Sequence, residues 1–182
     1  MNSYLPGYPK IYIDMDGVLT DWNGGVALLG PDAVLGIDDT ATEEQKIIMY
    51  KLIDRAGEGF WKNLNWASGG QELFNFLKPW KPVLLSSPGE FLYAEAGKTQ
   101  WVKDHIPGTT LLLEPDKYRY AERDAILIDD MISNIEGWQK QGGIGILHED
   151  TNTTIEKVME LLPARKMPLA SIVRQISLHP RW

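Results

Sequence analysis

The chain has 182 residues with 43% hydrophobic and 24% charged residues, a formal net charge of −7 and no cysteine. That is enough chain for one domain with a substantial core, and it excludes a disulfide framework or a thiolate metal site; the acidic balance also argues against binding to a nucleic-acid polymer, which calls for a basic footprint. No apolar run is long enough to span a bilayer and the first residues lack a secretion-signal layout, so no membrane partner and a cytoplasmic protein are expected.

The first predicted strand covers 10–14, and it ends by delivering Asp14 and Asp16 into a turn at Gly17. Side chains two apart on a strand face the same side. Carboxylates that close repel and push at least one pKa upward unless a cation lies between them. A solvated Asp-Gly turn is the plain alternative. Residues 20–81 then break any alternation of strand and helix. Thr42-Glu43-Glu44-Gln45 followed by Ile47, Ile48 and Leu52 reads as a capped amphipathic helix ending near Gly57. Gly70 to Leu77 reads as a second helix, stopped by Pro79. Between them lies the aromatic stretch Phe60-Trp61-Lys62-Asn63-Leu64-Asn65-Trp66.

After Pro82 the pattern is regular. Strands are expected at 83–86, 110–113, 125–128 and 144–147, and helices at 90–104, 131–141 and 153–162. Strands alternating with helices define an α/β fold, a doubly wound parallel sheet of the Rossmann-like kind. Ligands bind such sheets beyond the carboxyl ends of the strands, where Asp14, Asp16, Ser86, Asp129 and Asp130 all fall. From Pro163 to Trp182 there are four basic residues and no acidic one. Packing as a surface strand or helix is the first expectation for that tail, and a partner contact the second.

Two strand ends that each carry paired carboxylates suit phosphoryl transfer. The acidic groups would repel a phosphate monoester unless a divalent cation inverted the field, and all-oxygen ligands favour Mg²⁺. Asp14, at the strand end, suits the nucleophile of an aspartyl-phosphate route, and Asp16 suits the acid/base. Ser86 and Ser87 can donate hydrogen bonds to the phosphoryl oxygens, and Lys98 and Lys117 are the candidate cations. Phe60 and Trp61 are candidates for stacking on a nucleobase, against the alternative that they fill a core. Trp66 is a third candidate, ranked below these two, and Trp101 and Trp138 read as packing residues. The three histidines have no metal-ligand spacing.

Asp14-Met15-Asp16-Gly17-Val18-Leu19, Gly59-Phe60-Trp61-x-Asn63-Leu64, Ser86-Ser87-Pro88, Lys98-x-x-Trp101-Val102, Asp116-Lys117 and Leu127-Ile128-Asp129-Asp130 together resemble the haloacid dehalogenase-like hydrolases. Within that superfamily they resemble the 5′(3′)-deoxyribonucleotidase family. The resemblance implies that Asp14 is nucleophile and Mg²⁺ ligand, and that Asp16 is acid/base and offers its backbone carbonyl to the metal. It implies that Asp129 and Asp130 complete the metal site, with Asp130 favoured as direct ligand. Ser86 and Lys117 would hold the phosphate, with Ser87 and Lys98 in support. It also implies a small helical cap inserted after the first strand, giving a core of 1–19 and 82–182 and a cap of 20–81. One departure is Ser86, where the family often has threonine.

The leading expectation is a Mg²⁺-dependent phosphatase of nucleoside 5′-monophosphates, deoxyribonucleotides foremost. A phosphatase of another small metabolite or of a nucleic-acid end is the nearest rival, and a non-catalytic binding module is the rival of another class. Oligomeric state stays open, with a homodimer among the options.

Overall fold

The computed structural model describes residues 8–162 except Asp39, so the basic tail from Pro163 onward lies outside the described residues. In chain order the elements are β1 (Ile11–Ile13), α1 (Trp22–Ala27), α2 (Pro31–Val34), α3 (Glu43–Ala56), α4 (Glu58–Lys62), α5 (Gly70–Leu77), β2 (Val83–Ser86), α6 (Ala94–His105), β3 (Leu111–Leu113), β4 (Ile126–Asp129), α7 (Ile132–Lys140), β5 (Ile144–Leu147) and α8 (Thr151–Leu161). Single 3₁₀ turns follow α5 and precede β4.

All five strands are parallel, in the order β3-β2-β1-β4-β5. Alternate side chains serve two cores, because strand residues point to opposite faces in turn. Ile11, Ile13, Leu84, Ile126 and Ile128 join one cluster, to which Leu73, Leu77, Ile155 and Val158 from α5 and α8 also belong. Tyr12, Val83, Leu85 and Leu127 join the other, with Ile135 and Trp138 of α7. Chain growth runs outward from β1 to β2 and β3, then returns to β4 and β5. The switch in direction leaves a crevice between the carboxyl ends of β1 and β4, the place where such sheets take their ligands.

The insert after β1 is helical. α1 packs on α2, α2 on α3, and α4 lies along α6, whereas α5 packs against α8 beside the sheet. The chain leaves and re-enters the sheet through neighbouring segments tied by Asp21 N–H to the Asn65 carbonyl (2.9 Å) and Ala67 N–H to the Leu19 carbonyl (2.8 Å). α3 begins as its sequence predicts, with Thr42 and Gln45 exchanging a capping box, and Gly57 ends it at φ +66°. α6 begins at Ala94, four residues later than expected, because Phe91 turns inward to pack on Trp61 and Tyr50. Among the described residues no helix is long and apolar enough to cross a membrane.

Candidate active site

Asp14 extends β1 by one rung, its N–H donating to the Ile128 carbonyl at 2.9 Å. This pins it beside the end of β4, where Asp129 and Asp130 follow. One carboxylate oxygen from each of Asp14, Asp129 and Asp130 lies within 4.8 Å of the others. After Asp14 the chain folds tightly back, the Met15 carbonyl accepting from the N–H groups of Val18, Leu19 and Thr20. Gly17 sits at φ +80°, and a Cβ there would strike the Asp130 carboxylate. Only glycine fits both the backbone and the close approach.

The two acidic neighbours at the end of β4 are held differently. Asp129 is fully buried. Its Oδ1 accepts from Met131 N–H and Asn134 Nδ2, both at 2.9 Å, and its Oδ2 from Lys117 Nζ at 2.6 Å. Asp130 has a buried Oδ1 with no hydrogen-bond partner among the described residues. Burial, then the charges of Asp14 and Asp129, push the Asp130 carboxyl up to about 7. Burial and the Asp14 charge also raise Asp129, against the pull of Lys117. An orphaned buried oxygen amid three carboxylates, all hard donors, fits a divalent cation such as Mg²⁺.

Lys117 is buried in the polar loop before β4, with Nζ 2.8 Å from Asp14 Oδ1 and 2.6 Å from Asp129 Oδ2. The Asp14 contact is an ion pair, and Oδ1 has no other polar partner among the described residues. Burial depresses the Lys117 ammonium, but the charges of Asp14 and Asp129 outweigh it and hold the group above its usual range. Lys98 is also buried, 1% exposed. Its Nζ donates to Asp16 Oδ2 (2.6 Å), Ser86 Oγ (2.9 Å) and the Ser87 carbonyl (2.6 Å). Thr20 Oγ1 donates to the other Asp16 oxygen at 3.0 Å.

In front of these groups lies a cavity of about 300 Å³, lined by Asp14, Asp16, Gly17, Ser87 and Asp130 on one side and by Trp22, Asn23, Tyr50, Trp61 and Phe91 on the other. Trp61, a stacking candidate from the sequence, stands on that wall. Phe60 is not on the wall: it is buried behind Trp61, ring edge to ring face at 4.9 Å. Ser86, Lys98, Lys117 and Asp129 stand behind the lining carboxylates. Trp22, Tyr50 and Phe91 were missed because they come from three separate segments, with no shared spacing to connect them. Trp66, Trp101 and Trp138 are packing residues, Trp101 donating to the Leu64 carbonyl and Trp138 to the Ala125 carbonyl.

No family model matches this chain, and no curated protein matches it by sequence. Its fold is that of the haloacid dehalogenase-like hydrolases. A haloacid dehalogenase-like hydrolase from Streptococcus pneumoniae superimposes with a TM-score of 0.51 at 14% identity, covering 77% of this chain and 84% of that one. A hydrolase of the same family from Bacillus subtilis, solved with magnesium, gives 0.51 at 12% identity over 77% and 88% of the two chains. Another from Deinococcus radiodurans, solved with phosphate and sodium, gives 0.51 at 13% identity over 85% and 88%.

Proposed function

We propose that this protein is a Mg²⁺-dependent phosphomonoesterase that hydrolyses nucleoside 5′-monophosphates, deoxyribonucleotides foremost, through an aspartyl-phosphate. One observation carries the reading: Asp14 shares a 4.8 Å cluster with Asp129 and Asp130 at the crevice of the sheet. The magnesium and phosphate bound by the Bacillus and Deinococcus hydrolases support it. Asp14, Asp130 and the Asp16 backbone carbonyl would hold the cation, and Asp129, already bonded on both oxygens, would orient the site. When bound, the cation offsets the charge of the phosphate against the carboxylates.

An Asp14 oxygen attacks phosphorus as the bond to the leaving oxygen breaks. Asp16, protonated, gives its proton to that oxygen, so an alcohol departs and the phosphoryl group stays on Asp14. Water then attacks phosphorus, passes a proton back to Asp16, and the bond to Asp14 breaks to release phosphate. Lys117 steadies Asp14, and Ser87, on the cavity wall, would meet the phosphoryl oxygens, with Ser86 behind it. The insert carrying α1 to α4 acts as the cap.

The nucleotide part of the reading rests on the aromatic wall. Trp22, Tyr50, Trp61 and Phe91 surround a cavity large enough for a small planar group next to the carboxylates. Stacking on such faces contributes about 1–3 kcal/mol per base. Phosphate release from a panel of nucleoside monophosphates and sugar phosphates, with and without chelator, tests it. Nucleotides are expected to turn over fastest, and chelator to stop release. Sugar phosphates turning over faster would remove the nucleotide assignment and keep the phosphatase.

A further inference from the structure

We infer that Lys98 is a positioning residue that acts through Asp16, and not a ligand of the phosphate. The inference rests on the phosphatase reading above. An ammonium group has three N–H donors, and here all three are taken, by Asp16 Oδ2, Ser86 Oγ and the Ser87 carbonyl. The Trp61 ring covers a further side, its centroid 5.0 Å from Nζ. At 1% exposure, Lys98 has no donor and no open face left for a phosphoryl oxygen. Lys117 differs: its Nζ is paired with Asp14 and Asp129 and has no third partner among the described residues.

The contacts define a clamp. Asp16 lies on a glycine turn, and nothing in its own backbone fixes its carboxylate. Lys98 ties Oδ2 to the Ser86-Ser87 loop, and Thr20 Oγ1 reaches Oδ1. With both oxygens of Asp16 held in this way, Lys98 fixes the orientation of a carboxylate that stands on the cavity wall, and its loss would leave the acid present but misdirected.

The test is steady-state kinetics of the Mg²⁺-loaded Lys98→Met variant on monoesters graded by leaving group. An alkyl leaving group needs the proton from Asp16, whereas 4-nitrophenolate leaves without it. For the alkyl phosphate, kcat/KM is expected to fall about 10²-fold, the usual scale of acid/base catalysis, and for 4-nitrophenyl phosphate less than about tenfold. Inhibition by inorganic phosphate should stay within about threefold, and Lys98→Met should add nothing to Asp16→Asn, because groups acting as a unit are not additive. Phosphate inhibition weakened by about tenfold or more, with equal losses for every leaving group, would make Lys98 a phosphate ligand and overturn the inference. Losses that add to those of Asp16→Asn would overturn it too, as a merely structural effect. Lys98→Gln, which keeps a donor, is read by the same criteria if Lys98→Met fails to fold. A wild-type protein that releases no phosphate would remove the phosphatase reading itself.

Discussion

Asp129 and Asp130 are neighbours of identical chemistry, yet the fold gives them different work. Asp129 spends both oxygens on Lys117, Asn134 and the Met131 N–H, while Asp130 packs its carboxylate against Gly17 and keeps Oδ1 without a hydrogen-bond partner among the described residues. Without metal, Asp130 is a liability. Its carboxyl is pushed up to about 7 from an ordinary 3.8, so the folded chain holds a proton that the unfolded chain has released. Stability of the metal-free protein therefore falls as pH rises between those two values. Asp130→Asn is expected to raise the metal-free Tm, by about 2–4 °C per kcal/mol of relieved repulsion, and to abolish stabilisation by Mg²⁺. Because the cation must displace that proton, Mg²⁺ affinity should rise about tenfold per pH unit below 7 and level off above it. Thermal melts and calorimetry across that range check both, and a pH-independent affinity would contradict the assignment. The carboxylates were legible in the sequence because strand ends announce themselves. The burial of Lys98 was harder to read, although Ala94, Lys98, Trp101 and Val102 recur at helical spacing on one buried face.

At the scale of elements, the acidic wall is laid down by the sheet and the opposite wall by short helices. α3 was legible down to its cap because Thr42 and Gln45 satisfy two orphan N–H groups reciprocally, and that chemistry is local. α1 was not, since Asn23-Gly24-Gly25 reads as a turn. It is helical because Asp21 caps it by accepting from Gly24 N–H at 2.9 Å, in space a Cβ on Gly24 would occupy. The late start of α6 follows from tertiary packing: Phe91 leaves the helix to sit 5.1 Å from Trp61 and 5.4 Å from Tyr50. No periodicity encodes that choice. Tyr50, on α3, tests the wall without touching Lys98. Tyr50→Leu is expected to raise KM for a nucleoside monophosphate by about 5–150-fold, the equivalent of one lost stack, and to leave glycerol phosphate unchanged. Equal effects on both substrates would mean that the aromatic wall does not recognise the base.

For the whole molecule, five short parallel strands bring residues more than a hundred positions apart into one crevice. β1 pairs with β4 through Ile11 with Ile126, Tyr12 with Leu127 and Ile13 with Ile128, and that register sets Asp14 beside Asp129. A one-residue slip would turn every side chain of β1 to the other face and take Asp14 out of the cluster. The parallel sheet was foreseeable from alternation, and the helical insert from its interruption. How the insert's aromatics converge was not, because they meet only across the assembled cavity. The claim at the centre is that Asp14 carries the phosphoryl group. Rapid quench of the Mg²⁺-loaded protein with a labelled nucleoside monophosphate tests it directly, beside the folded Asp14→Asn variant. Label released by hydroxylamine and mapping to Asp14, with turnover in the variant reduced to background, is the predicted result; undiminished turnover by Asp14→Asn would contradict the account.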